Sequence, residues 1–237
     1  DEMALIQSIN RVPETFGDLV ESILTRILSS AVNSKSCRVD FVCDTYPDIS
    51  IKNLERSERA DAGSTVVMIL GPQQKVPRQF KKFLSVGKNK EALIELFFNH
   101  LKNVEILSTA LTSVELFISH GKLCDRVNVS NEGEVVFEKC SELFCDREEA
   151  DTRLLLHARH ASTTHDRVII RSTDTDVLVL MLGHKPAIPA AVYFDTGIGH
   201  HRRMLDVNKI HSTLGCDLCD ALIGFHALTG KYYLRFV

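Results

Sequence analysis

The sequence predicts an α/β fold, a central and mostly parallel sheet flanked by helices, on three observations. Short β-rich runs alternate with helical stretches through the second half of the 237 residues, at the spacing of βα units. Several of these runs hand over to an acid at their carboxyl ends, at Asp44, Asp174 and Asp195, where open α/β sheets place their sites. The composition, 44% hydrophobic and 25% charged, is close to the globular average and supports a sizeable core.

The elements follow in order. Residues 3–10 and 16–30 read as helices, the second from the spacing of Leu19, Val20, Ile23, Leu24, Ile27 and Leu28. "CRVDFVCDTYP" reads as a strand ending at Asp44, because Pro47 forbids simple continuation. "SIKNLERSERA" is a charged helical stretch, and "STVVMILG" a strand closed by Gly71-Pro72. "KNKEALIELFFNHL" reads as a helix, "VEILS" and "SVELFISHG" as strands, and "NEGEVVFEKC" as one arm of a hairpin. "DREEADTRLLLHARHAS" is a helix with acids in its first turn, the end where the helix dipole favours them. "RVIIRST" is a strand, "TDVLVLML" a helix, "PAAVYFDTG" a strand, and "CDALIGFHALTG" a closing helix with Gly230 near its end.

Composition excludes some classes. No apolar run approaches the roughly 20 residues that cross a bilayer, so no membrane partner is expected. "DEMALIQSIN" has no basic segment followed by an apolar one, so it does not read as a signal peptide. Seven cysteines without such a signal read as reduced intracellular thiols. "CDLC" (Cys216 and Cys219) has no second pair to complete a zinc site, and buried thiols on a helix are the simpler reading. The net charge is −3, but no acid lies between Asp61 and Glu91, where Lys75, Arg78, Lys81, Lys82, Lys88 and Lys90 cluster. Such a stretch is either a solvated helix face or a surface that tracks phosphates.

The acids carry the most chemistry. Asp44 ends a strand, Glu149 and Asp151 open a helix, and Asp174 and Asp176 follow the next strand. Each has a plain structural role available: first-turn acids and an Asp N-cap both satisfy helix N–H groups. Convergence of all five would need cations, and oxygen donors with little His or Cys suit Mg²⁺ or Mn²⁺. Two such ions about 4 Å apart are a standard device for phosphodiester hydrolysis.

"EEADTRLLLHA", "VIIRSTDTDVLVL" and "ALIGFHALTG", in that order, resemble the internal block of the XPG/flap-endonuclease family of PIN-like nucleases. "VDFVCDTYPDISIKNLERSER" resembles the family's N-terminal block. The resemblance implies one PIN-like domain over residues 1–237, a three-layer sandwich with a mostly parallel central sheet. Its strands would lie near 38–43, 66–70, 167–172 and 190–194, with 167–172 in the sheet's interior. Residues from about 52 to 100 would form a basic, helical, cap-like region. It implies metal ligands at Asp44, Glu149, Asp151, Asp174 and Asp176, and two Mg²⁺ or Mn²⁺ ions. Lys52 and Arg59 would steer phosphate at the catalytic centre. Lys52, Arg56, Arg59, Lys75, Lys81 and Lys82 would bind nucleic acid, DNA ahead of RNA. Asp1 is the candidate for the family's first aspartate, which would put the first strand upstream of the chain. The implied setting is intracellular, with the nucleus among its compartments.

The chain departs from the family in two respects: it stops at Val237, before the helical element with which the family grips duplex DNA, and one motif differs. Gly230-Lys231-Tyr232 stands where the family has Gly-Cys-Asp, so one ligand acid is missing. The rival to a nuclease is therefore a PIN-like module that binds nucleic acid or protein without cleaving. A haloacid-dehalogenase phosphatase would place its D-x-D at the start of the domain, and a Toprim domain would leave Asp44, Lys52 and Arg59 without roles. No G-x-S-x-G elbow accompanies the histidines His157, His160, His200 and His201, which read as surface or hydrogen-bonded core residues.

Overall fold

The structure is a computed structural model that describes residues 5–6, 9, 11–45, 65–102, 111, 114–147, 150–197 and 199–230. The chain forms two compact units, residues 2–148 and 149–237, where the sequence had suggested one domain.

The first unit opens with helix α1 (Phe16–Ser34). Thr15 caps it: the Thr15 hydroxyl accepts from Asp18 N and donates to the Asp18 carboxylate, which satisfies an otherwise unpaired first-turn N–H. Its apolar positions Phe16, Leu19, Val20, Ile23, Leu24, Ile27 and Ala31 are buried on one stripe, as the 3.6-residue period requires. Strand β1 (Arg38–Phe41) follows, then the short helix α2 (Phe80–Leu84) and helix α3 (Gly87–Leu101). Strands β2 (Glu115–His120), β3 (Leu123–Val129) and β4 (Val135–Lys139) complete a four-stranded sheet in the order β1-β2-β3-β4. Only β1 and β2 run parallel; the other two pairings are antiparallel hairpins, turned at Gly121 and Gly133 with positive φ. The core lies between this sheet and the apolar faces of α1 and α3, with Phe97, Leu93, Leu116 and Ile118 among its buried residues.

Residues 66–70, expected as a strand, join no ladder. Side-chain amides take the place of neighbouring strands. Val67 N donates to Asn89 Oδ1 at 2.7 Å and Asn89 Nδ2 donates to Thr65 O at 3.1 Å. Gln74 does the same for Leu70 N and Met68 O. With those backbone groups already paired, the segment docks by Val67 and Ile69 and leaves Val66, Met68 and Leu70 exposed.

The second unit carries α4 (Ala150–Ala161), β5 (Arg167–Arg171), α5 (Thr175–His184), β6 (Ala191–Thr196), β7 (Arg203–Asp206), α6 (Val207–Leu214) and α7 (Cys216–Gly230). Its sheet has the order β5-β6-β7, with β5 and β6 parallel and β6 and β7 antiparallel. Helix α6 is tied to β6 by Asn208, whose side-chain amide bonds both Val192 N and Val192 O at 3.3 Å.

The α/β class thus holds, while the single mostly parallel sheet is replaced by two mixed sheets. Among the described residues β5 is an edge strand of its sheet, not an interior one. Both facts count against the arrangement that the family resemblance implies. No described helix is long and apolar enough to cross a membrane.

Helices α5 and α7 approach closely at Gly183. A Cβ placed there would sit 2.1 Å from Ile223 Cδ1 and 2.7 Å from Cγ1. Ile223 is β-branched and stiff at χ1, so the clash is not relieved cheaply. Gly183→Ala gains about 1 kcal/mol of helix propensity but overpacks a helix contact, at about 1–3 kcal/mol. The expected result is a net loss of about 1 kcal/mol in urea denaturation; a variant more stable than the parent would show that α7 can move away.

Candidate functional site

In the second unit the connection from α4 to β5 spans residues 162–166, and that from β5 to α5 spans 172–174. Such short links make both helices antiparallel to β5, so both N-termini lie at its carboxyl end. Helices α4 and α5 pack on each other, as do α5 and α7. Gly183 meets Ile223 and Asp176 meets His226, so α5 and α7 run antiparallel. The first turns of α4 and α5, the last turns of α7 and the carboxyl ends of β5 and β6 therefore share one edge.

The β5–α5 junction is built by local hydrogen bonds. Ser172 is fully buried; its N–H donates to Asp195 O at 3.2 Å, and its hydroxyl accepts from Asp174 N at 3.1 Å. Asp174 is the N-cap of α5, its Oδ1 accepting from Asp176 N at 2.9 Å. Asp174 is exposed, and Asp176 is partly exposed with its Oδ2 3.2 Å from His226 Nε2. Asp151 stands in the first turn of α4, half-buried. The plain structural role thus holds for Asp174, and Asp176 has a histidine partner that the sequence did not suggest.

Asp195, at the end of β6, is a heavily bonded acid of this edge. It is 3% exposed and lies opposite Arg171 in the β5–β6 register. Arg202 grips it with two bonds, Nε to Oδ1 at 2.9 Å and Nη2 to Oδ2 at 2.7 Å. Arg171 Nη1 lies 2.8 Å from Oδ2. Burial alone pushes this carboxyl up, but the hydrogen bonds and charges of Arg202 and Arg171 outweigh it and hold the pKa below the usual carboxylate range. Its position at a strand end was readable from the sequence; its two partners were not.

The other predicted residues fall as follows. Asp44 lies in the first unit beyond the end of β1, half-buried, and borders a cleft with Glu91, Glu95, Asn99, Lys102 and His120. There His120 Nε2 is 2.5 Å from the buried carboxylate of Asp125, which also accepts from Lys139 Nζ at 2.9 Å. Lys75 pairs with Glu14 at 2.8 Å, both side chains exposed, a pairing of small energetic value. Lys81 and Lys82 sit on α2, the first exposed and the second half-buried. Asp1, Lys52, Arg56, Arg59 and Glu149 lie outside the described residues; of the other expected ligands, Asp151, Asp174 and Asp176 belong to the second unit and Asp44 to the first. Among the described residues no three His, Cys, Asp or Glu side chains form a group that could hold a metal ion.

Helix α4 buries Arg153 and His157 at 1% and 3% exposure; the sequence reading allowed for a core histidine but passed over the arginine. Of the C-x-x-C pair, Cys216 is exposed and Cys219 is buried, and burial raises the Cys219 thiol pKa above its ordinary value. No family of known proteins, no curated protein and no solved structure matches the chain.

Proposed function

We propose that the carboxyl edge of the second unit is a phosphodiesterase site acting on nucleic acid with the help of Mg²⁺ or Mn²⁺. The observation that carries this reading is the D-x-D turn between β5 and α5, which leaves Asp174 exposed and Asp176 partly exposed at the carboxyl end of a parallel strand pair, where α/β sheets hold their ligands. Asp151 opens the helix that packs beside it. The likeness of "EEADTRLLLHA" and "VIIRSTDTDVLVL" to the XPG/flap-endonuclease blocks supports the same chemistry, with DNA ahead of RNA and Glu149 as a further ligand.

The donor set is all oxygen, which suits a hard divalent ion and not zinc. Asp151, Asp174 and Asp176 do not by themselves make a three-ligand group, so the site needs a further carboxylate to hold an ion firmly, for which the resemblance offers Glu149. A bound ion would supply Lewis acidity and an activated water. The chain's own residues would supply the negative charge that binds the ion, a fixed D-x-D backbone and His226 as the partner of Asp176.

A second reading has its own support. Asp174 already serves as a helix cap, and Gly230-Lys231-Tyr232 replaces the family's Gly-Cys-Asp. On that basis the unit is a nucleic-acid- or protein-binding module that no longer cleaves. The two part on one experiment with the full chain. A nuclease shows a rise in melting temperature with Mn²⁺ or Mg²⁺, because an ion that binds only the folded state stabilises it, together with metal-dependent cleavage of a single-stranded or flap DNA. Metal stabilisation without cleavage favours the binding module. No metal-dependent stabilisation overturns the metal site in both.

A further inference from the structure

We propose that Cys216 and Cys219 form a redox-active dithiol at the start of α7, which exchanges with the disulfide of another molecule and closes to an intrahelical disulfide. This goes beyond the phosphodiesterase reading and does not rest on it. Ten residues of α7, about 15 Å at the helical rise, separate Cys216 from His226, which meets Asp176 at the other end.

The stretch "LGCDLC" builds the pair locally. Gly215 joins α6 to α7 with φ +81, a conformation that favours glycine. Its N–H donates to His211 O at 2.9 Å, and its carbonyl accepts from Cys219 N at 3.2 Å. Cys216 is therefore the first helical residue, and Cys219 makes the first full-turn bond of α7. Residues three apart on a helix are neighbours, with Cβ atoms about 5–6 Å apart. A disulfide needs about 3.5–4.5 Å, so the two sulfurs are brought together by a small movement. The N–H groups of the opening turn have no partner within the helix. Tightening that turn toward 3₁₀ geometry, in which i and i+3 eclipse, disturbs few bonds.

The two thiols are unequal in the way that exchange requires. Cys216 is exposed and Cys219 is buried. Cys219 lies where α5 and α7 approach: a Cβ on Gly183 would sit 3.4 Å from Cys219 O. Of the two, Cys216 is the one open to a foreign disulfide. Burial raises the Cys219 thiol pKa, and the charges of Cys216 and Asp220 raise it further, so the two sulfurs are within electrostatic reach. A shielded, protonated Cys219 leaves the first attack to Cys216 and resolves the mixed disulfide. The C-x-x-C spacing is one that supports such exchange.

Another pair supplies the contrast. Cys140 N bonds Cys124 O at 2.9 Å where β3 meets β4. There Cys124 is fully buried, its thiol pushed up to about 12 mainly by burial. Cys140 is half-buried, and burial raises its thiol too. That pair is close but shielded.

The reaction is a two-electron exchange. The Cys216 thiolate attacks one sulfur of RS–SR, that S–S bond breaks, and the departing RS⁻ takes up the proton that Cys216 released. Cys219 then loses its proton and attacks Cys216 Sγ in the mixed disulfide. The Cys216–Cys219 bond forms, and the second RS⁻ leaves and is protonated. The dithiol is oxidised and one disulfide is reduced to two thiols.

The experiment incubates the reduced full chain with glutathione disulfide, traps free thiols with N-ethylmaleimide and maps the peptides by mass. The parent is expected to carry a Cys216–Cys219 bond, two hydrogens lighter, with two glutathiones released for each chain oxidised. Cys219→Ser is expected to stop at glutathione on Cys216, with at least about tenfold more of that adduct than the parent at equal times. A bond between Cys124 and Cys140 in place of Cys216–Cys219 overturns the proposal. So does an unreacted Cys216, or an equal amount of glutathione on Cys216 in parent and variant. Should Cys219→Ser fail to fold, the parent decides alone: the Cys216–Cys219 bond supports the dithiol, and lasting glutathione on Cys216 overturns it.

Discussion

Asp174→Asn is expected to abolish metal-dependent cleavage while leaving the metal-free protein as stable as its parent. Asp174 Oδ1 caps α5 through Asp176 N, and an asparagine keeps that oxygen, so the N-cap is preserved. The predicted change in metal-free stability by urea denaturation is within about 0.5 kcal/mol, since Asn and Asp cap about equally. The loss of a carboxylate ligand should lower cleavage by at least about 100-fold, roughly 2.7 kcal/mol of barrier, and remove most of the metal-induced rise in melting temperature. Asp174→Ala adds the loss of the cap, about 1 kcal/mol. The pair of variants therefore separates capping from metal binding at a single position. An Asn variant that cleaves as well as the parent would leave Asp174 a cap and nothing more.

Asp195→Ala is the substitution expected to cost most in stability. It leaves Arg171 and Arg202 facing each other without their anion. Removing one member of a buried pair costs about 3–5 kcal/mol; with Arg202 half in solvent the expectation falls to about 2–3 kcal/mol. The loss should depend on pH with a definite sign. The folded Asp195 pKa is depressed, so its contribution is fully present above the unfolded carboxylate value of about 3.9 and disappears as pH falls through the folded value. The stability gap between parent and variant should accordingly be widest above about pH 4 and narrow in more acidic solution. A gap of constant size from pH 7 to pH 2 would mean that the charge of Asp195 contributes nothing.

Local features were readable one stretch at a time. The stripe of Leu19, Val20, Ile23, Leu24 and Ile27 identified α1 because helical period needs only neighbours. "RVIIRSTDTDVLVLML" showed a strand, a cap and a helix for the same reason, and Asp174 caps as its position suggested. The hairpin arm at 135–139 was visible, but its partner β3 was not, since Leu123–Val129 mixes Cys, Asp, Arg and Asn among its apolar residues. β7 and α6 were missed as well, being short and polar.

What the sequence by itself determined was the α/β class, the principal helices and strands, and acids at the carboxyl ends of strands; these depend on period, capping and turn chemistry within a few residues. Only the tertiary structure decided that there are two mixed sheets, that β5 stands at an edge, and that residues 65–70 are held by Asn89 and Gln74 instead of by strands. It alone showed Asp195 between two arginines and Asp176 against His226. Strand order and ion pairs join residues remote in the chain, and many pairings satisfy the same local pattern. Which one forms is settled by burial and backbone hydrogen bonding of the whole unit.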